Sequence, residues 1–210
     1  MMFDMEALSP SDTYKQLIST IVPRPIAWVT TVDVDGNVNA APYSFFNAMC
    51  GSPPIVCVGI GGRRPGDVKD TGNNIRATGQ FVVNLVNYAV SDAMSVTATE
   101  FDPGFDEMAA AGLTRVPATK VAPPMIAESP VNLECVRHVA VDVGNDRVIV
   151  MGRVVAVHVR DDCVLNADRR YIDTDKLDLV GRMGGGGGYC RTSDRFEVRR
   201  VSKEEFFARR

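Results

Sequence analysis

Runs rich in β-branched residues or alternating like half-buried strands recur along the chain, and the helical stretches between them are few and short. Residues 21–33 (IVPRPIAWVTTVD) are rich in β-branched side chains and run into Asp35-Gly36-Asn37, a turn signal, so a strand and a hairpin are predicted there. A second arm over residues 37–42 leads through a loop at Tyr43-Ser44-Phe45-Phe46-Asn47 to an apolar strand at residues 55–60, behind Pro53-Pro54. Lys69-Asp70-Thr71 opens a short helix that Asp70 or Thr71 would cap and Gly79 would end, with a strand over residues 81–86 directly behind it. Short helices are predicted over residues 90–98 and 105–111, the second stopped by Gly112. The two longest β-type runs, 131–143 and 147–160, flank Gly144-Asn145-Asp146 and are predicted to pair as an antiparallel hairpin. A last helix is expected over residues 175–182, and the five glycines Gly184 to Gly188 then form a flexible or tightly turning loop before Tyr189. Many strands and few helices predict a mainly β fold, an antiparallel barrel with short peripheral helices rather than a parallel α/β sheet.

Composition narrows the function classes. The chain has 210 residues, 45% of them hydrophobic, enough for one domain with a substantial core. Lys and Arg number 23 against 26 Asp and Glu, so the formal net charge of −3 offers no global basic field for nucleic acid. The apolar runs fall well short of the ~20 residues of a membrane-spanning helix, and MMFDMEALSP carries acids where a signal peptide carries a basic segment. A cytoplasmic chain without a membrane partner is therefore expected. Cys50, Cys57, Cys135, Cys163 and Cys190 form no CxxC pair, and the two histidines, His138 and His158, lie in strand-like runs, so neither a disulfide framework nor a metal site is expected.

Familiar catalytic constellations are missing: there is no GxSxG, no HExxH and no GxxxxGK[ST]. The glycine run lacks the strand before it and the helix after it that a dinucleotide-binding loop needs. What remains is a polar and aromatic cluster in the first eighty positions. Lys69 beside Asp70 and Thr71 offers a charge, a hydroxyl and free N–H groups to a phosphate, or is simply a solvated lysine beside a helix cap. Ser44, Phe45, Phe46 and Asn47 suit a ligand with a planar ring and a phosphate, or place two phenylalanines in a core. Strand alternation puts Trp28 and Thr30 on one face and Thr31 on the other, so only part of that trio can face a ligand unless the strand bends.

Taken in order, the segments PRPIAWVTT (23–31), NAAPYSFFN (39–47), KDTxxNI (69–75), FVVN (81–84), ESPVxLEC (128–135) and YxRT (189–192) resemble the flavin reductase-like, FMN-binding split β-barrel family, also called flavoredoxin-like. The likeness spans roughly residues 21–196. The resemblance implies a homodimer of split barrels holding FMN, or FAD in some members, near the subunit interface. It implies that Thr30, Thr31 and Ser44 to Asn47 line the flavin, that Lys69, Asp70 and Thr71 approach its phosphate, that Trp28 neighbours the ring, and that Tyr189 and Arg191 lie close to a flavin or nicotinamide site. Glu128 is expected to be structural. The arginine-rich stretch before Lys69 departs from the pattern, so Arg63 or Arg64 is a further candidate for phosphate contact, or is solvated.

The domain expected from this likeness covers residues 21–200, with an N-terminal extension at 1–20 and a C-terminal tail at 201–210. The activity it implies is reduction of flavin by NAD(P)H, with hydride transfer to the flavin N5 atom, a reaction that needs no side-chain nucleophile. A monooxygenase partner fed by reduced flavin belongs to the same expectation. Two alternatives stay open because a shared fold does not fix a reaction: an electron carrier or flavin enzyme acting on another organic substrate, and a non-catalytic FMN-binding dimer.

Overall fold

A computed structural model describes residues 1–64, 67–102 and 104–208, without the side chains of Arg63, Arg64 and Asp67. Seven strands build one antiparallel sheet: β1 (Ala27–Val32), β2 (Val38–Tyr43), β3 (Phe46–Gly51), β4 (Pro54–Ile60), β5 (Gln80–Leu85), β6 (Val131–Asp142) and β7 (Val148–Val159). Their order across the sheet is β2-β1-β5-β6-β7-β4-β3. The sheet is curled, because Ala27 and Val29 of β1 share one apolar cluster with Phe81 and Val83 of β5, Val148 and Val150 of β7, and Val56 and Val58 of β4. Just before β3 the Gly59 N–H donates to the Phe45 carbonyl at 2.7 Å, which extends the β3–β4 pairing by one rung. The result is a split barrel, mainly β, with short helices outside it.

The two longest strands form the predicted hairpin, and two irregularities, at Glu134/Cys135 and Arg137/Val139, bend it around the core. The core packs tightly there. A Cβ on Gly152 of β7 would lie 2.3 Å from the Phe81 ring, so only glycine fits. Helix α1 (Pro10–Thr20), capped by Ser9, lies in the N-terminal extension, and α2 (Asp70–Thr78) ends at Gly79, whose φ is 71°. None of the helices among the described residues is long and apolar enough to cross a membrane.

Four expectations need correction. The 21–33 run is two strands, because Pro23 and Pro25 lack the N–H a central ladder needs. Arg24–Pro25 pairs instead with Val180–Arg182, which in turn pairs with Tyr189–Arg191. That pairing also displaces the expected 175–182 helix, which stops at Leu177, where Asp178 turns left-handed (φ 45°). The glycine run, by contrast, takes the tightly turning one of its two expected forms: Met183 N–H donates to Gly188 O, and Gly186 and Gly187 have positive φ. Residues 46–51, read partly as loop, are the edge strand β3, whose exposed residues show no in–out alternation. Lys69, not Asp70 or Thr71, occupies the N-cap of α2 and makes no side-chain cap bond, while a six-residue helix (Lys203–Ala208) lies within the tail.

Candidate functional site

The outer face of the sheet falls into two halves. Over β1, β5 and β6 it is covered by residues 115–129, and the cover is fastened by buried polar side chains. Asn84 of β5 donates to the Trp28 carbonyl and accepts from the Ile126 N–H and from Asn132. Thr30 donates to the Pro124 carbonyl. Glu134, fully buried, accepts from Thr119, from the Lys120 and Val121 N–H groups, and contacts His158 Nε2 at 2.6 Å. Burial pushes this carboxyl up, but the bonds from Thr119, His158 and Lys120 outweigh it and hold it at about 2.

Over β3, β4, β7 and the far half of β6 the same face is bare. Outward-facing Cys57 and Gly59 of β4 pair with Met151 and Ile149 of β7, and these pair with Val139 and Val141 of β6. Val139, Val141, Ile149, Phe45 and Met49 are all exposed. Such a contiguous apolar face marks a contact surface.

Two adjoining clefts, about 600 and 500 Å³, open between this bare face, α1 and the turn after β2. They meet along Ser44, Phe45, Gly59 and Ile149. The larger is apolar, walled by Leu17 and Ile21 at the end of α1 and by Phe46 and Met49 of β3. The smaller ends at Tyr43, Gly61, Lys69 and Arg147. Lys69 Nζ lies 5.7 Å from the centroid of the Tyr43 ring, and the Tyr14 ring lies 6.2 Å from that of Phe45. Among the described residues three cations, Arg24, Lys69 and Arg147, line the joint cleft and no carboxylate does, in a chain of net charge −3.

Lys69 also lines, with Pro42 and Tyr43, a second pocket of the reverse character. This pocket, of about 80 Å³, is lined as well by Asp70, Thr71, Glu100 and Glu107. Glu107 is buried, which pushes its carboxyl up against the lowering effect of the Ala40 N–H that donates to it at 3.1 Å. Carboxylates repel an anion, so this pocket is less favourable to one than the joint cleft, whose far end carries Arg147.

The structure therefore divides the expected residues. It brings Ser44, Phe45, Phe46, Asn47 and Lys69 together around the joint cleft. It does not bring Trp28, Thr30 or Thr31 there: all three are fully buried. Trp28 donates from its indole to Thr97 at 2.8 Å, and Thr31 accepts from Asn74 of α2 at 3.0 Å. Asp70 and Thr71 face the acidic pocket, where the Thr71 hydroxyl accepts from Asn39. Tyr189 and Arg191 line a separate cleft of about 280 Å³ that shares no lining residue with the other two. Arg191 there pairs with Asp178 at 2.7 Å and stacks 4.6 Å from the Tyr88 ring. The side chains of Arg63 and Arg64 lie outside the described part of the structure. Sequence reasoning passed over Arg24 and Arg147. For Arg24 a signal existed, a lone charge between two prolines in an otherwise apolar run.

The curled, split antiparallel barrel thus carries, beside its bare face, a cleft lined by aromatic and cationic side chains. The flavin reductase like domain matches residues 19–175, three quarters of the chain, and the protein belongs to that family. An uncharacterised Deinococcus radiodurans protein is 44% identical over 95% of this chain and 89% of its own. Among solved structures, the 2-nitrobenzoate 2-nitroreductase of Pseudomonas fluorescens is 32% identical with a TM-score of 0.88, covering 97% of this chain and 98% of that one. Nitrilotriacetate monooxygenase component B of Bacillus cereus is 30% identical with a TM-score of 0.88, covering 94% and 98%.

Proposed function

We propose that the joint cleft binds FMN and that the chain works as an NAD(P)H-dependent flavin reductase. The observation that carries this reading is the lining of the cleft, which among the described residues holds three cations, no carboxylate and an aromatic-rich apolar wall in one continuous space of ligand size. Flavin supplies the electron chemistry when bound, accepting hydride from a reduced nicotinamide. The chain's part is placement. Lys69 and Arg147 attract the phosphate, and Phe45 and Phe46 offer flat apolar surface to the ring. Ser44 and Asn47 supply polar groups at the ring edge, and Gly59 keeps the floor open: a Cβ there would stand 3.1 Å from that of Phe45.

The proposed working domain is residues 21–200, and α1 of the extension walls the cleft. A homodimer across the bare face would bury Val139, Val141 and Ile149 and close the cleft mouth with the partner's surface. The same cleft accepts FAD if its adenosine end reaches solvent. The Pseudomonas relative favours a second reading, in which bound flavin passes electrons to an aromatic substrate in the apolar half. The Bacillus relative is the reason to keep a partner monooxygenase in view. Stopped-flow mixing of FMN-loaded protein with NADH or NADPH is expected to bleach the flavin absorbance. No bleaching with either, with FMN still bound, leaves the electron-carrier and binding-only readings and removes the reductase.

A further inference from the structure

Arg24 is 5% exposed, and no carboxylate lies within ion-pair distance of it among the described residues. Its guanidinium is satisfied by neutral partners only. It donates from one terminal nitrogen to the carbonyls of Ile18 (2.7 Å) and Ile21 (3.1 Å) at the end of α1, approaches the Gly184 carbonyl at 3.5 Å with the other, and donates from Nε to the Ser44 hydroxyl at 3.3 Å. The C-terminal carbonyls of a helix carry only partial negative charge, so the cation is solvated but not neutralised. Burial lowers its pKa, with a further lowering by Arg182 against a raising effect of Tyr14. An arginine starts so high that it stays charged at neutral pH. A charge buried without a counter-charge is costly to keep. A purely structural clamp between α1 and the glycine hairpin has no need of one.

We infer that Arg24 sets the redox poise of the site: its uncompensated charge, presented through Ser44 at the junction of the two cleft halves, favours the reduced flavin anion over the neutral oxidised ring. Two electrons and one proton taken up by the ring leave it with one negative charge, and that form alone gains from a fixed cation nearby. This rests on the flavin reading of the cleft. Arg24 is a positioning and electrostatic residue that acts through Ser44, and a clamp without this role would bind both redox forms with equal loss when removed.

The test measures, on the full chain loaded with FMN, the affinity for oxidised FMN and the two-electron midpoint potential, for wild type, Arg24→Lys and Arg24→Gln. Arg24→Gln is expected to weaken reduced FMN at least tenfold more than oxidised FMN, a fall of about 30 mV for a two-electron couple. Arg24→Lys keeps the charge and is expected to recover most of that fall, even if affinity drops. A potential unchanged in Arg24→Gln, or an equal fall in both variants, overturns the inference. Should Arg24→Gln fail to fold, wild type decides: FMN bound with a potential at or below that of free FMN contradicts it. Wild type that binds no FMN removes the flavin reading and this inference with it, an outcome distinct from bound FMN of unshifted potential.

Discussion

The covered and bare halves of one sheet face are built from the same strands, yet they spend their side chains differently. Over β1, β5 and β6, polar residues point outward and each is consumed by the 115–129 cover: Thr30 by Pro124, Asn84 by Ile126, Glu134 by Thr119 and its neighbours. Over β4, β7 and the end of β6, outward positions are apolar and none of the described residues covers them. Where internal partners exist, substitution is expected to cost folding. Where they do not, it is expected to cost binding or assembly.

The largest effect should come from the covered half. Trp28→Ala removes a fully buried indole and its bond to Thr97, and a loss of roughly 3–5 kcal/mol is expected in urea unfolding. FMN affinity of the folded fraction should stay within about twofold, and a tenfold loss would place Trp28 in the site after all.

Next comes acid. The Glu134 carboxyl is held at about 2, below its ordinary 4.5, so its contribution is complete above pH 4.5 and is lost as pH falls toward 2. Folding stability should therefore drop through that window by on the order of 3 kcal/mol. Glu134→Gln should flatten the drop; an unchanged pH profile in that variant would assign the acid sensitivity to other carboxylates.

Thr31→Val leaves the buried Asn74 amide without its acceptor and should cost about 1–3 kcal/mol in thermal or urea unfolding, with no change in FMN binding. On the bare half, Val141→Asp should cost the monomer no more than about 0.5 kcal/mol. Analytical ultracentrifugation should nevertheless show dissociation of the proposed dimer. A dimer that survives would move the interface elsewhere.

The same contrast explains what the sequence made legible. Period-two patterning revealed β5, β6 and β7 because their inward residues Phe81, Val83, Val148 and Val150 fill one core and enforce alternation. It blurred β3, an edge strand with neither face sealed in the monomer, and it overran Pro23 and Pro25, where the ladder changes partners. Motif order was enough for the family. It was not enough for the site: a motif places Thr30, Thr31 and Ser44 close in sequence, and only the curl of the sheet decides which of them meets open space. Lys69 was readable as a cation at a helix start, but the acidic pocket that it also lines is assembled from Glu100 and Glu107, thirty or more residues away.

Titration of FMN and of riboflavin into wild type and Lys69→Ala tests the central claim most directly. If the phosphate lies at the Lys69 and Arg147 end of the cleft, Lys69→Ala should weaken FMN about tenfold or more, in keeping with the loss of a charge-assisted contact, and leave riboflavin nearly unchanged. Equal weakening of both ligands, or of neither, would contradict that placement.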